Sequence, residues 1–125
     1  MSLSFDEQKP IFIQIKEQIE DQIVKKQLVE QDKIPSTTQM VQFYKVNHIT
    51  ISKGINLLVD EEIIYKKRGV GMFVANGARK KLLEQRKSTF ADVYVLPMLQ
   101  EANKLSLTDE EVKHIIHKVR EGENQ

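Results

Sequence analysis

Asn47-His48-Ile49-Thr50-Ile51-Ser52-Lys53 puts short hydrogen-bonding side chains and one cation within two turns of a would-be helix. Further on, Lys66-Lys67-Arg68-Gly69-Val70-Gly71 gathers three cations on a glycine-bearing turn. Neither group is equipped to make or break bonds. Short polar side chains at the start of a helix can hydrogen-bond to base edges in a groove wide enough to admit the helix. Clustered Lys and Arg can pair with phosphates. The chemistry on offer is recognition of a polyanion. Taken singly, each group has a plainer reading, because polar helix residues ordinarily face solvent and a charge run is ordinarily a solvated face.

Other chemistries lack their parts. The chain has no cysteine, so neither disulfides nor thiolate metal sites can form. It has no nucleophile elbow and no phosphate-binding glycine loop. His114 and His117 share a helix face at i, i+3, but they point away from the apolar stripe, with no further ligand placed to complete a set. No metal site, no cofactor and no enzymatic activity are expected.

The elements that must position the recognition groups can be read from periodicity and punctuation. Residues 1–8 carry no periodic pattern and read as a loose arm. Pro10 sits where a first-turn proline is tolerated, and Phe12, Ile15, Ile19 and Ile23 come after it at helical spacing, widened by Ile11 and Val24. This first helix should end near Lys26, with Lys16, Glu17, Glu20 and Asp21 mostly off its core face. Residues 27–34 read as a polar connection. After Pro35, Ser36-Thr37-Thr38-Gln39 matches a capping box and opens a two-turn helix bearing Met40, Val41 and Phe43. Residues 44–46 turn the chain, and Asn47 is a good N-cap for a third helix over 48–60. Ile51, Gly54, Ile55 and Leu58 form its core face, which leaves His48, Ile49, Thr50, Ser52, Lys53 and Asn56 outside.

Residues 63–66 and 72–75 are β-prone runs joined by the basic turn. Gly69 and Gly71 suit a turn that needs positive φ or a backbone lying close to another surface. Helix, turn, helix and basic hairpin in that order make a winged helix-turn-helix. The fold class is mainly α with a small β-hairpin (α+β), spanning residues 1–77. Residues 78–125 form a helical appendage. A helix over about 80–104 is apolar on two sides, with Pro97 kinking or splitting it. Thr108-Asp109-Glu110-Glu111 is a second capping box before a stripe of Val112, Ile115, Ile116 and Val119. A helix apolar on two sides needs two surfaces to cover it, and a second copy of the chain is the natural supplier. Phe90, Val93, Tyr94, Leu96, Met98, Leu99, Ile115, Ile116 and Val119 are the residues expected to carry that homodimer contact.

At 125 residues there is room for one domain with a core plus an appendage. No apolar run approaches a membrane span and no signal-peptide pattern opens the chain, so a cytoplasmic protein without membrane contact is expected. The net charge of +1 conceals a division: residues 61–87 hold eight Lys and Arg against three Asp and Glu, which is +5 for that stretch. The positive field therefore centres on the hairpin and the residues just beyond it.

From Pro10 to Val74 the sequence resembles the DNA-binding domain of the GntR family of bacterial transcription regulators. The likeness rests on Pro10-Ile11-Phe12-Ile13-Gln14-Ile15, Ile34-Pro35-Ser36, Asn47 with Thr50-Ile51, and Arg68-Gly69-Val70-Gly71-Met72-Phe73-Val74. The short appendage is similar to that of the YtrA-type branch, whose members dimerise through it and lack large effector domains. The resemblance implies a repressor that binds a two-fold-related double-stranded DNA operator as a homodimer, with no cofactor. Relatives usually carry arginine at the positions of Thr38 and Ser52, asparagine at that of Ile49, and glycine at those of Lys45 and Glu62. Operator sequence is therefore not transferable from relatives.

The expected DNA-contacting residues are Ser36, Thr37 and Thr38, whose amides would hold a phosphate; Asn47, His48, Ile49, Thr50, Ser52 and Lys53 in the major groove; and Lys66, Lys67, Arg68, Gly69 and Gly71 at the adjacent minor groove or backbone. Whether a small-molecule effector exists is not readable from the sequence; if one does, its place is between the winged domain and the C-terminal helices, or across the dimer. The missing arginines also admit an alternative of another class, a winged-helix protein-interaction module without DNA binding.

Overall fold

A computed structural model describes residues 5–123. The chain forms two compact units that divide between Glu84 and Gln85.

The first unit opens on α1 (Ile11–Val24), with Pro10 as its N-cap. Ile15, Ile19 and Ile23 are buried along one stripe, whereas Ile11 is exposed. Glu20 departs from the expected solvent-facing pattern and is buried on this helix. Lys16 lies 3.3 Å from the Glu20 carboxylate and 3.2 Å from that of Glu61. Burial works against the Lys16 ammonium, yet the two carboxylates raise its pKa above the ordinary value.

The connection after α1 holds a strand that its polar composition concealed. β1 (Lys33–Ile34) pairs antiparallel with the wing, so the hairpin becomes a three-stranded sheet. α2 (Thr37–Tyr44) begins with the full capping box: Gln39 N–H donates to Ser36 Oγ at 3.1 Å, and Ser36 N–H donates to Gln39 Oε1 at 2.8 Å. α3 (His48–Asp60) is capped by Asn47, whose Oδ1 accepts the Thr50 N–H at 2.8 Å. Its buried face is Ile51, Gly54, Ile55 and Leu58, as the spacing predicts. The turn between α2 and α3 passes through Lys45 at φ 59, and the exit from α3 passes through Glu62 at φ 60. Both are left-handed positions that favour glycine.

β2 (Ile64–Lys67) and β3 (Gly71–Val74) form the hairpin, and the sheet order is β1-β3-β2. Each strand starts or ends about a residue from its sequence-read bounds, as edges commonly do. Val70 N–H donates to the Lys67 carbonyl at 2.9 Å across a turn whose third residue, Gly69, has φ 76. A turn of this shape requires positive φ there, which glycine supplies without steric cost. One apolar core unites α1, α2, α3, the sheet and the start of α4 (Ala78–Phe90), where Ala78 and Leu82 are buried. For that reason the first unit runs on past the Gly77 break.

The described part of the arm before α1 is held rather than loose. Phe5 packs on the core with its ring 6.1 Å from that of Tyr44, and the Gln14 side chain bonds the backbone of Asp6 and Lys9. The rest of the expected arm, residues 1–4, lies outside the described residues.

In the second unit, a five-residue π-helical turn (Ala91–Val95) comes after α4 and precedes α5 (Leu96–Lys104). Pro97 explains it. Proline has no N–H and its ring collides with the carbonyl four residues back. The wider turn, in which Leu96 N–H reaches the Ala91 carbonyl, absorbs that conflict without ending the helix. α6 (Asp109–Glu123) opens with the second capping box, Thr108 and Glu111 bonding each other reciprocally at 3.0 and 3.2 Å.

Candidate nucleic-acid interface

The outward side of α3 comes first. Asn47, His48, Ile49 and Lys53 are exposed, while Thr50 and Ser52 are half-buried. Asn47 is committed to the cap, which makes it a positioning residue for the first turn. Ser52 Oγ lies 3.4 Å from His48 Nδ1. The Lys53 ammonium stands 5.6 Å from the centroid of the Phe12 ring, a cation–π contact that steadies it beside α1. Asn56, one turn further on, accepts from Lys66 Nζ of β2 at 3.4 Å. The second helix of the motif and the wing are thus tied together through a polar pair on the solvent side.

The cleft beside the wing comes second. Lys33 and Ile34 of β1, Ser36 to Gln39 at the start of α2, and Val70 to Met72 of the wing line a space of about 540 Å³. The capping box uses the amides of Ser36 and Gln39 internally, so Thr37 and Thr38 are the first-turn donors left outside the cap. Helix N-termini carry partial positive charge and suit an anion. Lys33 adds a full charge to the same cleft. Its side chain lies over Gly71, where an added Cβ would stand 2.7 Å from Lys33 Cε. Gly71 has φ 145, so this position favours glycine for its backbone, while the flexible end of the lysine above it could move aside.

Lys33 is a candidate the sequence did not disclose, because it sits in a stretch read as a polar connection. The available signal was the β-branched Ile34 just before Pro35, in a two-residue segment that only becomes a strand once a partner is found. Lys66, Lys67, Arg68 and Gly69 are all exposed on the wing. The expected residues therefore fall into two groups on one unit, the α3 face and the α2–wing cleft.

Part of the positive stretch after the wing has another use. Arg79 Nε donates to the Val24 carbonyl at 3.0 Å, and Lys81 Nζ donates to the Glu61 carbonyl at 3.1 Å. Each cation caps the C-terminal end of a helix, α1 and α3, where the helix dipole is negative.

The second unit holds the residues expected at a dimer contact. Tyr94 is 66% exposed, and Phe90, Val93, Leu96, Met98, Leu99, Ile115, Ile116 and Val119 are also exposed. Among the described hydrophobic residues of that unit, only Ala102 and Val112 are buried. His114 and His117 are exposed, and His117 Nε2 lies 3.1 Å from a Glu121 carboxylate oxygen. Among the described residues no group of three His, Asp or Glu side chains is placed to hold a metal, and no helix is long and apolar enough to cross a membrane.

Comparison with known proteins bears directly on this geometry. Residues 13–74 match the model of the "Bacterial regulatory proteins, gntR family". The chain is 31% identical to the uncharacterized HTH-type transcriptional regulator YhcF of Bacillus subtilis (strain 168), covering 98% of this chain and 99% of that protein. Among solved structures, a GntR family transcriptional regulator from Listeria monocytogenes superimposes with a TM-score of 0.72 at 30% identity, covering 91% of this chain and 98% of the other. AraR(DBD) in complex with operator ORX1 matches with a TM-score of 0.53 at 32% identity, over 60% of this chain and 92% of the other.

Proposed function

The chain belongs to the GntR family of bacterial regulatory proteins, and on that premise we propose that it is a cytoplasmic, sequence-specific repressor that binds a two-fold-related DNA operator as a homodimer. The observation that carries the DNA-reading part is the common setting of the α3 face and the α2–wing cleft on one unit, with Lys33, Lys66, Lys67 and Arg68 at its solvent side. α3 enters the major groove, the Thr37 and Thr38 amides with Lys33 hold a phosphate, and the wing tip tracks the backbone into the neighbouring groove. AraR(DBD), which shares this fold, is seen with its operators ORX1, ORE1 and ORR3.

The dimer part is supported by the second unit. Its large apolar side chains are exposed and it buries only Ala102 and Val112 among its described hydrophobics, so its apolar faces call for a partner. A second copy meets the need through a symmetric contact. The match to YhcF, which runs through the helical appendage as well as the winged unit, supports placement in the short YtrA-type branch.

Selection of bound duplexes from a random pool by the full chain is the test. A palindrome with half-site centres about one helical turn apart, roughly 10 base pairs, is the expected product. Enrichment of a single unrepeated site would count against the dimer. No enrichment, together with no retention on heparin, would favour a winged-helix module that binds protein instead.

A further inference from the structure

We propose that Ile49 reads the C5 methyl group of a pyrimidine, so that each half-site contains a thymine, or a 5-methylcytosine, selected by this one side chain. The inference rests on the DNA-binding reading above and names what the α3 face selects.

Ile49 is 70% exposed, more than any other large apolar side chain among the described residues. It sits in the first turn of α3. At about 100° per residue it falls opposite the buried Ile51, Gly54, Ile55 and Leu58 face. A single exposed apolar residue is ordinary. Its setting here is not, because most of the polar side chains around it are engaged within the fold. Ser52 lies against His48, Lys53 stands over Phe12, Asn56 receives Lys66, and Asn47 caps Thr50. The large apolar group most open to solvent on the reading face is a branched alkyl side chain.

An alkyl group can neither donate nor accept. Set against a purine N7 or a cytosine amino group, it would strip their water and return nothing. The C5 methyl of thymine is the apolar feature that base edges present in the major groove. Ile is β-branched and holds one χ1 rotamer in a helix, so the contact is made with little loss of side-chain freedom.

The experiment uses the full chain and a duplex recovered by selection from a random pool. Each thymine is replaced in turn by deoxyuridine, which deletes only the methyl. One position per half-site should lose about fourfold in affinity, the equivalent of one buried methyl, and replacement in both half-sites about the square of that. The Ile49→Ala protein, with folding checked by its Tm, should show no difference between thymine and deoxyuridine there. Ile49→Val, which keeps a branched group, should retain it. A cytosine pair at the same position, with and without its own C5 methyl, tells whether the methyl or the rest of thymine is read. Equal loss in the wild type and Ile49→Ala, or no methyl effect at any position, overturns the inference while leaving DNA binding intact. Failure to recover any duplex removes the DNA-binding reading and this inference with it.

Discussion

Gly54 of α3 lies directly under the Phe12 carbonyl of α1: a Cβ built on Gly54 would stand 2.6 Å from that oxygen. The two helices cross at this point, and the glycine lets them do so. Alanine would favour the helix by about 1 kcal/mol. A backbone oxygen cannot swing aside, however, and overpacking of this kind costs about 1–3 kcal/mol. Gly54→Ala should therefore lower stability by about 1 kcal/mol net, read as a lower urea midpoint with an unchanged slope. A higher midpoint would mean that α1 moves away freely.

Lys45 and Glu62 present the opposite case. Both hold left-handed backbone, at φ 59 and φ 60, with side chains that do not favour it. Such residues give up about 1–2 kcal/mol, part of which glycine recovers against its own greater freedom when unfolded. Lys45→Gly and Glu62→Gly should each raise stability by about 0.5–1 kcal/mol. The Glu62–Lys81 pair, 3.7 Å apart with Glu62 84% exposed, contributes too little to reverse the sign.

Salt dependence separates cations that meet phosphate from cations that cap helices. Lys33→Ala and Arg68→Ala should each reduce the slope of log affinity against log salt by about 1. Lys81→Ala should leave that slope unchanged, because Lys81 serves the Glu61 carbonyl. A Lys33→Ala slope equal to that of the wild type would remove Lys33 from the interface.

Placing carboxylates on the exposed apolar faces of the second unit should separate the two copies of the proposed dimer. Tyr94→Glu with Ile116→Glu should halve the mass measured by light scattering. Affinity for a paired operator should fall by about a hundredfold or more as the second half-site ceases to be an intramolecular event. Affinity for a single half-site should hold. A variant that remains dimeric would place the contact elsewhere.

The Thr108–Glu111 box carries a pH signature. Hydrogen bonds from the Thr108 backbone and then from its side chain hold the Glu111 carboxyl below the ordinary carboxylate value. A depressed folded value means that the contribution to stability is present above the unfolded value of 4.5 and is lost as pH falls through the folded value. The Tm difference between the wild type and Glu111→Ala should accordingly be larger at pH 7 than at pH 3. A constant difference would show that Glu111 acts only through packing.

The sequence alone determined what depends on neighbours a few residues apart. Ser36 with Gln39, Asn47 with Thr50, and Thr108 with Glu111 are local hydrogen-bond grammars, and each is present. The Ile51, Gly54, Ile55, Leu58 face arises from helical period alone. Pro97 announced a disturbance, although its resolution as a π-turn needed the backbone itself. Tertiary structure decided the pairings between distant segments. Lys33 becomes strand, and joins the α2–wing cleft, only because Phe73 is its partner, and Arg79 and Lys81 are drawn out of the positive stretch because Val24 and Glu61 end helices beside them. Glu20 is buried where α1 packs on α3, and the same packing brings the distant Glu61 carboxylate to Lys16, the i, i+4 partner of Glu20. Such partners lie tens of residues away and leave no periodic trace in the chain, so only the folded backbone can reveal which charges stay open to solvent and which hold the protein together.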